Sequence, residues 1–247
     1  MNLTEHQLQI IHKETLRCYP NEAVICITKD DAIPLDNIHE DPRHYFQVES
    51  KSFYKNKGIA LVHSHPTILG EVNPRFGPEY VDARVPSSGD MRSQINMNVP
   101  FGIITTDGTE VSPILWFPDL DSPLEGHEYL HGVYDCWRLV RAYYWQNYNI
   151  LLEDYARDYD WWKTNPNLYV EQIYSRGFYG IDEDQLEVGD ILIIRLFGTA
   201  ESHSAVYLGN NQMIHHMNNR LPSVDNFAKW RRKITRILRH KDKPCKN

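Results

Sequence analysis

Two groups of residues have the types and spacing to do chemistry. The first lies in ALVHSHPTIL (60–69), where His63 and His65 stand two apart at the end of an apolar run. Alternate residues of a strand share a face, so the two imidazoles can be offered to one ion. Asp90, in PSSGDM, is a third candidate ligand for Zn2+. Three protein ligands and one open position make a catalytic zinc site. Zinc lowers the pKa of a bound water toward ~7, and a carboxylate must then move its proton. Glu22, at the head of EAVICIT, is placed for that work. The competing reading is plain: Ser87-x-x-Asp90 is also a helix N-cap with an acid in its first turn.

The second group centres on a thiol. HGVYDCWRLVRAYY places Cys136 just behind Asp135 at the start of a helical pattern. Helix N-termini lower thiol pKa values and so make nucleophiles, whereas the commoner fate of a cysteine is a buried core position. Cys18 and Cys26 take the core reading, and Cys245 a core or a surface one. A base is available in SHSAVYLGNNQMIHH, a hairpin with a Gly-Asn-Asn turn. If Ala205 lies opposite His215, then His203 and His215 share a face, and His215 can orient the ring of His203. A slip of one residue would put His216 in that place instead.

Several elements must hold these residues. A capping box from Thr4 to Gln7 starts a helix carrying Leu8, Ile11 and Thr15 on one face. EAVICIT (22–28), YFQVES (45–50), GIALVHSH (58–65), FGIITT (101–106) and PILWF (113–117) read as strands, and SGDMRSQINM (88–97) as a helix. The stretch 118–126, PDLDSPLEG, is the best linker. Beyond it come an aromatic-rich helical pattern from Asp135 and strands over 190–197, 202–209 and 212–217. The fold class is therefore α+β, in two domains, 1–118 and 119–247.

With Glu22 ahead, His-Ser-His-Pro closing a strand and Pro-Ser-x-x-Asp opening a helix, residues 1–115 resemble the JAMM (MPN) metallopeptidases. The resemblance implies an α-β-α sandwich with His63, His65 and Asp90 on zinc, Glu22 as general base and Ser87 stabilising the oxyanion. Twenty residues (67–86) separate Pro66 from Ser87, where the family has a short spacer; they read as an insertion serving as lid or substrate loop. Residues 120–240, with Asp-Cys-x-x-Leu-Val and then His-x-x-x-Tyr-x-Gly and Ile-His, resemble the NlpC family of papain-like cell-wall peptidases. That resemblance makes Cys136 the nucleophile, His203 the base and, through the twelve-residue step, His215 the orienting residue. Trp137 departs from the serine common there. In the family this position and the preceding aspartate help bind the amino end of a stem peptide. The two halves in one chain resemble the tail assembly proteins of lambda-like siphophages. They imply other tail-tip proteins as partners, peptidoglycan peptide as substrate, and a place in the virion after assembly in the host cytoplasm.

Composition bounds the rest. The chain has 247 residues, 41% hydrophobic and 24% charged, with net charge −7, ordinary for a globular protein and sufficient for two cores. No apolar run approaches the ~18 residues of a membrane span, and the N-terminus lacks the apolar core of a signal peptide. Four cysteines do not suggest a disulfide framework. The tail 229–247 is strongly basic against an acidic remainder; it reads as a solvated helix lying on its own domain, and no nucleic-acid partner is expected.

Overall fold

Thr4 opens the first helix as its spacing requires. The structure, a computed structural model, describes residues 1–67, 82–196 and 198–244. Helix α1 (Glu5–Cys18) begins with the capping box between Thr4 and Gln7 and buries Gln7, Ile11, Glu14 and Thr15 along one stripe. The chain divides into two compact units, Met1–Pro118 and Asp119–Asn247.

The first unit holds β1 (Val24–Ile27), β2 (Ala32–Leu35), α2 (Ser50–Lys55), β3 (Ala60–Pro66), α3 (Ser88–Met97), β4 (Phe101–Thr106) and β5 (Leu115–Phe117). Its sheet runs β2-β1-β3-β4-β5. β3 and β4 are parallel, and the other neighbours antiparallel. The parallel pair requires a crossover, and α3 lies on it. Ala60 and Val62 face a core shared with Ile11, Ile25, Ile27 and Ile104, so strand alternation sends Leu61, His63 and His65 to the opposite face.

One expectation for this unit is corrected. Residues 45–49 form no strand, and Ser50 begins α2. The loop's polar groups are engaged by Asn37 instead: its amide donates to Tyr45 O (3.0 Å) and its carbonyl accepts from Gln47 N (3.1 Å). β2 is an edge strand carrying Pro34, which can sit there because no ladder donor is needed on the open side. The residues at issue in the lid reading of 67–86, namely 68–81, lie outside the described residues, as does Cys245.

The second unit holds α4 (Cys136–Tyr148), α5 (Trp161–Thr164), α6 (Leu168–Ser175), β6 (Phe178–Gly180), β7 (Ile191–Ile194), β8 (His203–Gly209), β9 (Gln212–His215), β10 (Ser223–Asn226), α7 (Phe227–Trp230) and β11 (Ile234–His240). The sheet order is β10-β9-β8-β7-β11-β6, antiparallel throughout. One face buries Ile191, Ile193, Val206 and Ile214 under Trp137, Leu139, Val140 and Tyr144 of α4. The other buries Leu192, Ile194, Ala205, Met213 and Phe227. Asn210 and Asn211 turn the β8–β9 hairpin at φ 49° and 60°, the left-handed pair that a tight hairpin needs and asparagine tolerates.

The basic tail is not a helix on the surface. It supplies β11, between β7 and β6. Leu238 is fully buried in the core, and the flanking charges find acids: Arg236 pairs with Glu201 and Arg239 with the buried Asp190. Among the described residues, helical structure there is confined to α7 and the single 3-10 turn Arg231–Lys233.

Candidate functional sites

In the first unit, β3 presents His63 and His65 from one face, and the first turn of α3 brings Asp90 to them. His63 Nε2 and His65 Nε2 are 3.0 Å apart. Asp90 Oδ1 lies 3.6 Å from His63 Nε2, and Oδ2 lies 3.6 Å from His65 Nε2. All three side chains are buried. A tetrahedral zinc with bonds of about 2.05 Å has ligand-to-ligand edges of about 3.3 Å, so the three donor atoms fit such an ion. The ring of His65 is set by Nδ1, which bonds Ala83 O. His63 is set differently: its Nδ1 has no hydrogen-bond partner among the described residues, and the ring packs on Phe46 at 4.6 Å.

The capping reading of Ser87 and Asp90 holds at the same time. Ser87 Oγ accepts from Asp90 N (3.1 Å), and Asp90 Oδ2 accepts from Ser87 N (2.7 Å). One carboxylate thus caps α3 and faces both imidazoles. Burial pushes its pKa up, and the two histidines more than reverse this, leaving it well below the usual range. Glu22 is 1% exposed and directly precedes Ala23, whose N–H donates to Ser64 Oγ and whose carbonyl accepts from Ser64 N. Its backbone is therefore pinned beside the His-Ser-His segment.

In the second unit Cys136 is the first residue of α4, behind the N-cap Asp135. Asp135 Oδ1 accepts from Arg138 N (2.9 Å), and Oδ2 from Gly132 N (3.0 Å) and from Arg157 Nη2. These internal partners fix the carboxylate at the helix start.

β8 and β9 pair with Ala205 opposite His215, so His203 and His215 share a face. His203 Nε2 is 3.0 Å from His215 Nδ1, and His215 Nε2 is 3.3 Å from Asp225 Oδ2. Asp225 also accepts from Trp230 Nε1 at 2.9 Å. This chain sets the tautomers. A carboxylate only accepts, so His215 Nε2–H donates to Asp225. His215 Nδ1 then accepts from His203 Nε2–H, which leaves the lone pair of His203 on Nδ1. His216 leaves the sheet and bonds Arg220 O through Nε2 at 3.0 Å.

The thiol departs from expectation. Cys136 is 8% exposed, and burial, reinforced by Asp135, pushes its pKa up to about 11 rather than down. Burial and the neighbouring histidines press His203 down to about 3. At neutral pH the resting groups are a neutral thiol and a neutral imidazole. Tyr169 Oη lies 3.7 Å from the sulfur, the Ser204 backbone also favours its anion, and among the described residues no hydrogen bond joins it to His203. Asp135, next to the thiol, is nonetheless close enough to raise the pKa of His203. Cys26 is buried, while Cys18 is half-buried, packs against the core of the first unit and donates to Glu14.

Tyr169, Ser204, Asp225 and Arg157 were not anticipated. No local spacing announces them, since each reaches its partner across the fold. Asp225 alone carried a signal, being on a short strand that pairs with β9.

Residues 126–239 match the family model described as NlpC/P60 family. This segment is similar to the NlpC/P60 family. The match contains Cys136, His203 and His215. Over 184 residues the chain is 28% identical to tail tip assembly protein K of Escherichia phage lambda, covering 74% of this chain and 82% of that protein. It is 26% identical over 235 residues to tail tip assembly protein K of Escherichia phage N15, covering 91% and 90%. A crystal structure of an NlpC/P60 family protein from Bacillus cereus aligns with TM-score 0.32 and 14% identity, over 92% of this chain and 66% of that one; at that score it carries no argument about the fold. None of these matches speaks to a JAMM domain in the first unit. No helix among the described residues is long and apolar enough to cross a membrane.

Proposed function

We propose that the chain is a phage tail-tip assembly protein whose NlpC/P60 domain is a cysteine endopeptidase acting on peptidoglycan stem peptides. The observation that carries the reading is the His203–His215–Asp225 chain within a segment matched to that family. In this reading His203 Nδ1 is the base, and Cys136 is the nucleophile at the helix start that Asp135 caps and Arg157 pairs with. In the mechanism His203 Nδ1 takes the thiol proton as sulfur attacks the peptide carbonyl. The charged imidazole that results is stabilised through His215 by Asp225. His203 then gives that proton to the leaving amine as the C–N bond breaks, and water releases the acyl-enzyme with the again neutral His203 as base. The names of the two phage relatives support the tail tip as the place of assembly, with other tail-tip proteins as partners and the virion as location.

The first unit, in the same proposal, is a zinc-dependent peptidase or isopeptidase of the JAMM kind, acting on a tail protein. His63, His65 and Asp90 would hold the ion, which when bound supplies a Lewis acid and activates water at neutral pH. Glu22 would move the proton, and the Ser87 hydroxyl, which accepts from the helix and retains its own proton to donate, would face the developing oxyanion.

One observation favours a second reading, a structural tail-tip component with silent sites: the thiol is buried, protonated and unbonded to His203. Digestion of purified Gram-negative peptidoglycan, with product masses, separates the two. Cys136→Ala should lower cleavage by on the order of 10³-fold or more and leave zinc content unchanged. His63→Ala should lose zinc and retain wall cleavage. No cleavage by the folded wild-type chain would leave the structural reading.

A further inference from the structure

Behind Cys136 the core is aromatic. Tyr169 of α6, 1% exposed, stacks on Trp161 at 5.8 Å and meets Trp137 edge-on at 6.1 Å. Phenylalanine would fill this space as well. The hydroxyl has a separate use. Tyr169 Oη is 3.7 Å from Cys136 Sγ and 2.5 Å from Ser204 Oγ, and Ser204 Oγ is 3.4 Å from Cys136 O. Ser204 is fully buried and faces α4 from β8, on the side of the sheet opposite His203. Two buried hydroxyls and the nucleophile's own residue therefore close a ring of hydrogen bonds.

Each hydroxyl has one proton, so the ring has two consistent states. With a thiol, S–H donates to Tyr169 Oη, Tyr169 O–H donates to Ser204 Oγ, and Ser204 O–H donates to Cys136 O. With a thiolate, sulfur can only accept. Tyr169 O–H then turns to Sγ, and Ser204 O–H turns to Tyr169 Oη. No proton leaves either hydroxyl. Cys136 O gives up a long bond and keeps the helical N–H four residues on, so reversal strands no group. The thiolate state gains a charge-assisted bond, the stronger kind.

We propose that Tyr169 and Ser204 form a reversible hydroxyl relay that donates to the Cys136 thiolate, with Tyr169 a further catalytic residue in contact with the reacting sulfur. The inference rests on Cys136 being the nucleophile. It answers how so buried a sulfur ionises: its proton leaves toward His203 while the relay turns a donor to the anion from behind. The favourable influence of Tyr169 on the thiolate agrees with this.

The test is the pH profile of Cys136 alkylation by iodoacetamide on the full chain, read peptide by peptide by mass spectrometry so that Cys18, Cys26 and Cys245 do not contribute. In Tyr169→Phe the rate at a fixed pH below the midpoint should fall on the order of tenfold, the value of one hydrogen bond to a charge, and the midpoint should move up. Ser204→Ala should move it the same way by less, and serves if the Phe variant fails to fold. If the reagent reaches the sulfur too slowly, the thiolate's ultraviolet absorbance, as the difference from Cys136→Ala, gives the midpoint directly. A midpoint unchanged or lowered in both variants overturns the relay, as does a uniform rescaling of rate that reflects access alone. Because ionisation is read without substrate, failure here is distinct from failure of the peptidase reading, which Cys136→Ala tests on peptidoglycan.

Discussion

Replacing Arg157 with methionine removes the cation beneath the start of α4. The Arg157 and Asp135 side chains are each 3% exposed, so screening by solvent is slight. Asp135 would keep its two backbone donors, Arg138 N and Gly132 N, and lose its counter-charge. Breaking a buried ion pair costs about 3–5 kcal/mol, and the surviving bonds put the expectation near the lower end, about 3 kcal/mol. The pH dependence follows from the carboxyl's pKa. Burial pushes it up, but Arg157, His131 and the hydrogen bonds from Arg157 and Arg138 hold it well below the ordinary value. A depressed carboxyl pKa contributes stability that is present above the unfolded value of about 3.9 and lost as pH falls through the folded one. Without Arg157 that contribution goes. The deficit of the variant should thus be full from neutral pH down to about pH 4 and shrink only below it, as the pH falls toward the folded value. Urea unfolding followed by tryptophan fluorescence, for wild type, Arg157→Met, Asp135→Asn and the double variant, measures it. Arg157 also bonds Asp154 and Tyr155 O, so the double-mutant cycle is needed to isolate the pair, with an expected coupling of about 2–3 kcal/mol. A neutral-pH deficit under about 1 kcal/mol, or one that ignores pH, would refute the view of Asp135 as a charged cap held by Arg157.

Two further outcomes are expected. Purified protein should carry about one zinc per molecule by elemental analysis; Ser87→Ala should cost about 1 kcal/mol as a lost cap and keep the metal, whereas Asp90→Ala should lose both, and a metal-free wild type would remove the zinc reading. Burial holds His131 and His216 down to about 4 and His203 to about 3, so they contribute stability that is full above the unfolded value of about 6.5 and lost on acidification, at up to about 1.4 kcal/mol per pH unit for each; His131→Phe should flatten the fall between about pH 6.5 and 4 by one such share, and an unchanged slope would exclude His131 as a source.

Local signals in the chain were enough to place the pieces that depend on near neighbours. Thr4–Gln7 and Ser87–Asp90 are three-residue capping patterns, and both caps form. The alternation His63-Ser64-His65 could only set both imidazoles on one face of a strand. The Asn210-Asn211 turn carried the hairpin, whereas the choice of His215 over His216 came from the resemblance, through its 12-residue step from His203. What failed was whatever a distant partner decides. YFQVES has strand composition, but the Asn37 side chain takes its backbone groups. The tail has the charge of a solvated helix, yet Leu238 belongs to the core, and Glu201 and Asp190 neutralise the arginines. The state of Cys136 is the plainest case. Its place at a helix start is written in Asp135-Cys136, and that alone argues for a thiolate. Its pKa follows instead from how deeply α4 is covered and which carboxylate lies beside it. The hydroxyls behind the sulfur come from positions 33 and 68 residues away, separations at which spacing carries no information and only the packed fold brings atoms together.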